Sequence, residues 1–132
     1  MSVNSILIGQ LIYDVITDNS SSVSSTITKV YPLVADNETL KPFVVYSKTN
    51  VFVNEYTKDG IVSDKVSFSI TVVSSTYLQS CDLANKIRSM FEGKKISNND
   101  LTIYNIRLTS NTESYADKDT FIQTMFFECN AE

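Results

Sequence analysis

"IVSDKVSFSITVVSSTYLQSCDLANKIRSMFEG", residues 61 to 93, holds two periodicities, and the switch between them decides the fold class. Val62, Val66, Phe68, Ile70 and Val72 alternate with Ser63, Lys65, Ser67, Ser69 and Thr71. That is the period of a strand with one buried and one wet face. From Tyr77 the period lengthens. Tyr77, Cys81, Ala84, Ile87 and Phe91 share one face of a helix, which Leu83 and Met90 widen. Ser75 or Thr76 can cap its start. Gly93 suits the C′ position, and Lys94 and Lys95 suit the negative end of the helix dipole. A half-buried strand followed by an amphipathic helix predicts a sheet with helices on its apolar face.

Working outward, residues 3 to 18 read as a first helix. Val3, Ile6, Leu7, Gln10, Leu11, Asp14 and Val15 follow the helical rhythm, and Ile8, Ile12 and Ile16 form a second stripe. Gly9 in its middle suggests close packing. "DNSSSVSS", residues 18 to 25, reads as a polar connector. A short strand over Ile27–Tyr31 is stopped by Pro32, and Pro42 opens the next, from Phe43 to Tyr56. Asp59-Gly60 marks a hairpin. Two further strands, Leu101–Glu113 and Thr120–Cys129, flank the polar "SYADKD". The expectation is one α+β domain over residues 1–132: an antiparallel β-sheet with two α-helices packed on one face, in the order α-β-β-β-α-β-β.

Each arm of the hairpin Phe43–Val73 exceeds the ~5–6 residues of a typical strand, so its outer half is expected to extend past the core. Its tip carries Tyr56, Lys58 and Asp59, an aromatic anchor beside opposite charges, and these are the candidate subunit-interface residues. The remaining tyrosines stand among Val, Thr and acidic neighbours rather than Lys and Arg, unlike a stacking platform for single strands. Tyr31 and Tyr46 are expected at the sheet rim with wet hydroxyls.

Composition narrows the chemistry. The net charge of −4 argues against broad nucleic-acid binding. No apolar run approaches the ~20 residues of a bilayer span, and the N-terminal segment lacks the pattern of a signal peptide, so a soluble cytoplasmic protein is the expectation. With no histidine, Ser-His-Asp and Cys-His sites are excluded. Three glycines, Gly9, Gly60 and Gly93, supply no phosphate-cradling loop. Cys81 and Cys129 cannot make a zinc quartet and read as reduced, buried thiols, with a disulfide as the alternative. Glu113, Asp117 and Asp119, with Glu55, Asp59 and Asp64, read as solvated turn acids; neither group has calcium-loop order. The expected protein has no catalytic residues, no cofactor and no metal.

Two phrases carry a resemblance. Val30-Tyr31-Pro32-Leu33-Val34-Ala35 and Leu40-Lys41-Pro42-Phe43-Val44-Val45-Tyr46 resemble paired signature phrases of the small bacteriophage and prophage tail-completion, or tail-terminator-like, proteins, with Lys41 inserted. "TYLQSCDLANKIRSMFEG" (Thr76 to Gly93) resembles the family's helix, with Cys81 in place of the usual alanine. Ile106, Arg107, Leu108, Ser110, Glu113, Tyr115 and Asp117 resemble its closing pattern. The strands from Lys48 to Asp64 depart from it, lacking a glycine-rich or arginine-rich hairpin. The resemblance implies a non-enzymatic structural protein of a virion tail, made in the host cytoplasm. Such proteins form a ring, commonly of six subunits, at the head-proximal end of the tail tube. Its implied partners are itself, the tail tube protein and the head–tail connector protein, with no specific nucleic acid and no membrane. The alternatives are another head–tail connector, or a small ligand- or protein-binding α+β domain of cellular origin.

Overall fold

The computed structural model describes residues 4–18, 23–35, 40–57, 60–99 and 101–132, with the side chains of 53–57 and 60–63 set aside. A 3-10 turn at Ser5–Leu7 leads into α1 (Ile8–Thr17). Then come β1 (Lys29–Pro32), β2 (Phe43–Thr57), β3 (Gly60–Ser74), α2 (Tyr77–Phe91), β4 (Ile96–Ser97), β5 (Thr102–Asp117) and β6 (Thr120–Ala131).

The alternation in β3 builds the core. Val66, Phe68, Ile70 and Val72 are fully buried on one face. β6 lies antiparallel beside β3, and its Met125, Phe127 and Cys129 extend the same face. α2 lays Leu83, Ala84, Ile87 and Phe91 onto that surface. Phe68 stacks on Phe127 at 5.2 Å between centroids, and Phe91 closes the trio at 5.8 and 5.9 Å. α1 covers the other half of the same face with Ile8, Leu11, Ile12 and Ile16, against Val44 and Tyr46 of β2. Thr76 caps α2, its Oγ1 accepting from Gln79 N at 3.2 Å.

The sheet corrects the expected architecture. It is mixed and six-stranded, in the order β1-β2-β3-β6-β5-β4. β1 runs parallel to β2, with Lys29 opposite Phe43 and Pro32 opposite Tyr46. Pro32 therefore does not lead into a hairpin: the chain returns to the start of the neighbouring strand through residues 33–42. That connection is shorter than the dozen or more residues usual for a parallel crossover and has no helical period, so it reads as an antiparallel loop. β4 is also additional. It pairs with Ile103 and Thr102 over just two residues, too few to leave a pattern.

Three burial expectations change as well. In the first helix the second stripe, Ile8, Ile12 and Ile16, is fully buried, whereas the first stripe buries Leu11 but leaves Ile6 71% exposed. Helix α1 proper starts only at Ile8, and the 3-10 turn before it rotates Ile6 and Leu7 outward. The serine-rich connector contributes Val23, fully buried, whose carbonyl accepts from Thr26 N and Ile27 N. Tyr46 is not at a wet rim. It lies beneath α1, where burial first, then Tyr13 and Asp14, raise its pKa. A Cβ on Gly9 would meet Tyr46 Cε2 at 3.5 Å, an ordinary contact, so this approach does not demand glycine.

Candidate functional site

Because α2 turns Leu83, Ala84, Ile87 and Phe91 onto the core, its flank with Tyr77, Cys81 and Arg88 overlooks β5. On β5, Leu108, Asn111 and Glu113 lie on the same face as Phe127, Met125 and Gln123, their partners in β6. Helix and strand diverge here and leave an open groove of about 310 Å³.

The polar groups of the groove hold one another. Glu113 Oε2 accepts from Tyr77 Oη and from Gln123 Nε2, each at 2.9 Å. Gln123, itself buried, also approaches Cys81 Sγ at 3.6 Å. The bonds from Gln123 and then Tyr77 lower the Glu113 pKa, and the bond to Glu113 pushes Tyr77 up to about 12. At neutral pH Glu113 is thus ionised and Tyr77 protonated, and neither is poised to exchange a proton near pH 7. Arg88 is engaged by Glu92 at 3.0 Å, and Glu92 Oε2 accepts from Leu108 N at 3.0 Å.

The sheet has two free edges. β4 flanks β5 at Thr102 and Ile103, while Gly93 N bonds Ile106 O and Glu92 takes Leu108 N. From Thr109 to Asp117, all exposed, no strand lies beside the outer edge of β5 among the described residues. On the opposite side β1 covers β2 from Phe43 to Tyr46, and Leu33 N adds a bond to Tyr46 O. From Ser47 onward the outer edge of β2, away from β3, likewise has no neighbouring strand among the described residues. Exposed apolar side chains stand on both strands: Phe52 on β2 and Tyr115 on β5. On the face without helices, Glu128 joins Lys65 at 3.0 Å and also accepts from Arg107.

Lys58 and Asp59 lie outside the described residues, as does the side chain of Tyr56, whose backbone belongs to β2. The β2–β3 ribbon runs past the end of β6, since Asp64 is the last residue of β3 paired with it, opposite Ala131. Among the acids, Asp117 is a turn acid, its Oδ1 accepting from Asp119 N at 2.8 Å. Asp64 is not. It is 6% exposed and bonded to Ser5. Lys41, the inserted residue, donates to Asp119 O at 2.7 Å and Thr120 Oγ1 at 2.6 Å, tying the start of β2 to the β5–β6 turn. The groove left little trace in the sequence, because it depends on where Glu113 and Gln123 meet across two strands.

No family model matches the chain, and no curated protein matches it. Solved structures do. The chain is similar to one from the virion of a native gene transfer agent particle, at a TM-score of 0.71 and 14% identity over 93% of this chain and 92% of that one. It is also similar to a solved protein with no stated function, at a TM-score of 0.67 and 8% identity over 99% and 97%. At such identities the likeness is one of fold, and it spans nearly all of both chains: this chain shares its fold with a chain of a gene transfer agent virion.

Proposed function

We propose that the chain is a non-enzymatic structural subunit of a phage-type virion, and within it a tail terminator that assembles as a ring on the head-proximal end of the tail tube. The observation that carries the reading is the shared fold with a gene transfer agent virion chain, matched over nearly the full length of both. The paired proline phrases and the helix from Thr76 to Gly93 supply the terminator role by their resemblance to that family. The partners on this reading are further copies of the chain, the tail tube protein and the head–tail connector.

Charge gives the ring a physical role. Six copies at −4 would carry about −24, a field that repels DNA and favours its passage without sticking.

The test is to delete the gene from its phage or prophage and image the particles, with an epitope-tagged copy labelled by antibody in a parallel strain. The expected result is label at the junction of head and tail, and overlong or headless tails in the deletion. Label at the distal tip, or normal tails without the gene, would refute the terminator role.

A further inference from the structure

We propose that the free edge of β5, Thr109–Asp117, pairs with the free edge of β2, from Ser47, in a second copy of this chain, so that the sheet continues across the subunit boundary. The proposal deepens the ring reading and rests on it for the identity of the occupant.

An exposed sheet edge presents unpaired main-chain donors and acceptors, and proteins usually blunt such edges with lysine, proline or bulges. β5 has neither lysine nor proline from Thr109 to Asp117. Its register shifts fall at the ends of this stretch, between Leu108 and Ser110 and between Tyr115 and Asp117. The regular run Ser110–Tyr115 lies between them, as long as a typical strand of ~5–6 residues. Its solvent-side residues Ser110, Thr112 and Ser114 are small hydroxyl side chains, of the kind that pair well across strands.

Strand polarity selects a second copy. β2, β3, β6 and β5 are successively antiparallel, so β2 and β5 run in opposite directions on opposite rims of one sheet. Two copies placed side by side in the same orientation therefore bring β5 against β2 antiparallel, the better-bonded arrangement. Such a contact is head-to-tail, the kind that forms a ring when the rotation between neighbours closes and a filament when it does not. Charge is compatible: β5 ends in exposed Asp117, and the free edge of β2 begins beside exposed Lys48, whose Nζ also donates to Ile6 O at 3.4 Å.

The registers set the step between copies. Glu113 lies level with Val44 through Gln123 and Val72, whereas Phe52 lies level with Lys65. The free halves are thus about seven residues of β3 apart, roughly 24 Å. Neighbours are offset along the strands by that amount, and in a closed ring the strands incline to the axis as they do in a barrel.

Backbone amide exchange on the isolated full chain, from micromolar to millimolar concentration and with mass measured alongside, tests the pairing without the virion. The expected result is that protection rises together at 109–117 and from residue 47 of β2 as the mass rises. Thr112→Lys with Ser114→Lys should abolish both changes. Lys48→Glu, which leaves β5 untouched, should weaken association and so guards against a folding defect in the first variant. Protection of one edge alone would assign the edge to a different partner and overturn the proposal. A monomer at millimolar concentration, or association unaffected by either variant, would also overturn it. If the edges pair but tagged protein labels another part of the particle, the terminator role fails and the pairing stands.

Discussion

Ser5 Oγ donates to Asp64 Oδ2, joining the N-terminal turn to β3 across 59 residues of chain, and both residues are buried. The other oxygen, Oδ1, is buried with no hydrogen-bond partner among the described residues. Removing the remaining donor should be costly, because a buried acceptor left unsatisfied loses ~1–3 kcal/mol and a charged one more. Ser5→Ala is expected to destabilise by at least that range in urea melts. Asp64→Asn keeps an acceptor for Ser5 but sets buried amide N–H donors where Oδ1 lacks a partner, and should also destabilise. A neutral Ser5→Ala would show that water satisfies this acceptor in solution.

Phe68 is the centre of the aromatic trio with Phe91 and Phe127 and is fully buried. Phe68→Ala should cost ~3–5 kcal/mol, combining lost transfer energy with the cavity left between α2 and the sheet. Denaturant midpoints measure it. A loss below about 1 kcal/mol would mean that the core collapses around the gap, with the helix following the sheet.

The parts of the fold that were legible in the sequence are those a local period encodes. The alternation through Val66, Phe68, Ile70 and Val72 and the helix ending at Gly93 were both readable, since each side chain's face follows from its neighbours. The parallel partner of β1 was not, because strand direction is decided by where residues 33–42 return the chain. Asp64 was misread as a solvated acid for a related reason: it occupies an inward position of β3, and what covers it is the distant turn at Ser5. Likewise nothing local announces that Glu113 meets Gln123 and Tyr77, or that the outer edge of β5 beyond Leu108 has no neighbouring strand among the described residues.

Several carboxylates give the protein a definite acid response. The bonds from Arg107 and then Lys65 hold the Glu128 pKa below its ordinary value. Leu108 N and Arg88 do the same for Glu92, and Gln123 and Tyr77 for Glu113. A carboxylate whose folded pKa is depressed stabilises the fold above its unfolded pKa, about 4.3 for glutamate. That contribution is lost as pH falls from there through the folded value. Melting temperature should therefore be level from neutral pH down to about 5 and fall below about 4. Glu128→Gln should flatten part of that fall, and an identical slope in the variant would show that its two cations contribute nothing in solution.

Cys129 responds at the other end of the scale. Burial, followed by the nearby Glu128 charge, pushes its thiol up to about 12, and the protein contains it as a free cysteine. A raised folded pKa favours the protonated form. Its stabilisation is present below the unfolded value of about 8.5 and is lost as pH rises toward 12. Thiol labelling at neutral pH should therefore leave Cys129 unmodified until denaturant is added, while half-buried Cys81 labels sooner. Fast native labelling of Cys129 would contradict its place in the core.

Gly93 ends α2 with φ at +76°, in the region that side chains other than glycine's enter at a cost. Its amide donates to Ile106 O at 2.9 Å, and Lys94 N returns to Phe91 O at 3.2 Å, so this turn sets the angle at which the chain leaves the helix for β4 and β5. A Cβ added at Gly93 meets nothing within 4 Å, so no clash adds to the effect. Gly93→Ala should therefore destabilise by the backbone term alone, about 1 kcal/mol, despite the helix-favouring character of alanine. The adjacent Glu92 carboxylate bonds Leu108 N, so amide exchange at Leu108 should quicken in the variant if the turn relaxes to avoid the strain. A stabilised variant would mean that the turn takes an ordinary negative φ in solution and that the helix runs one residue further.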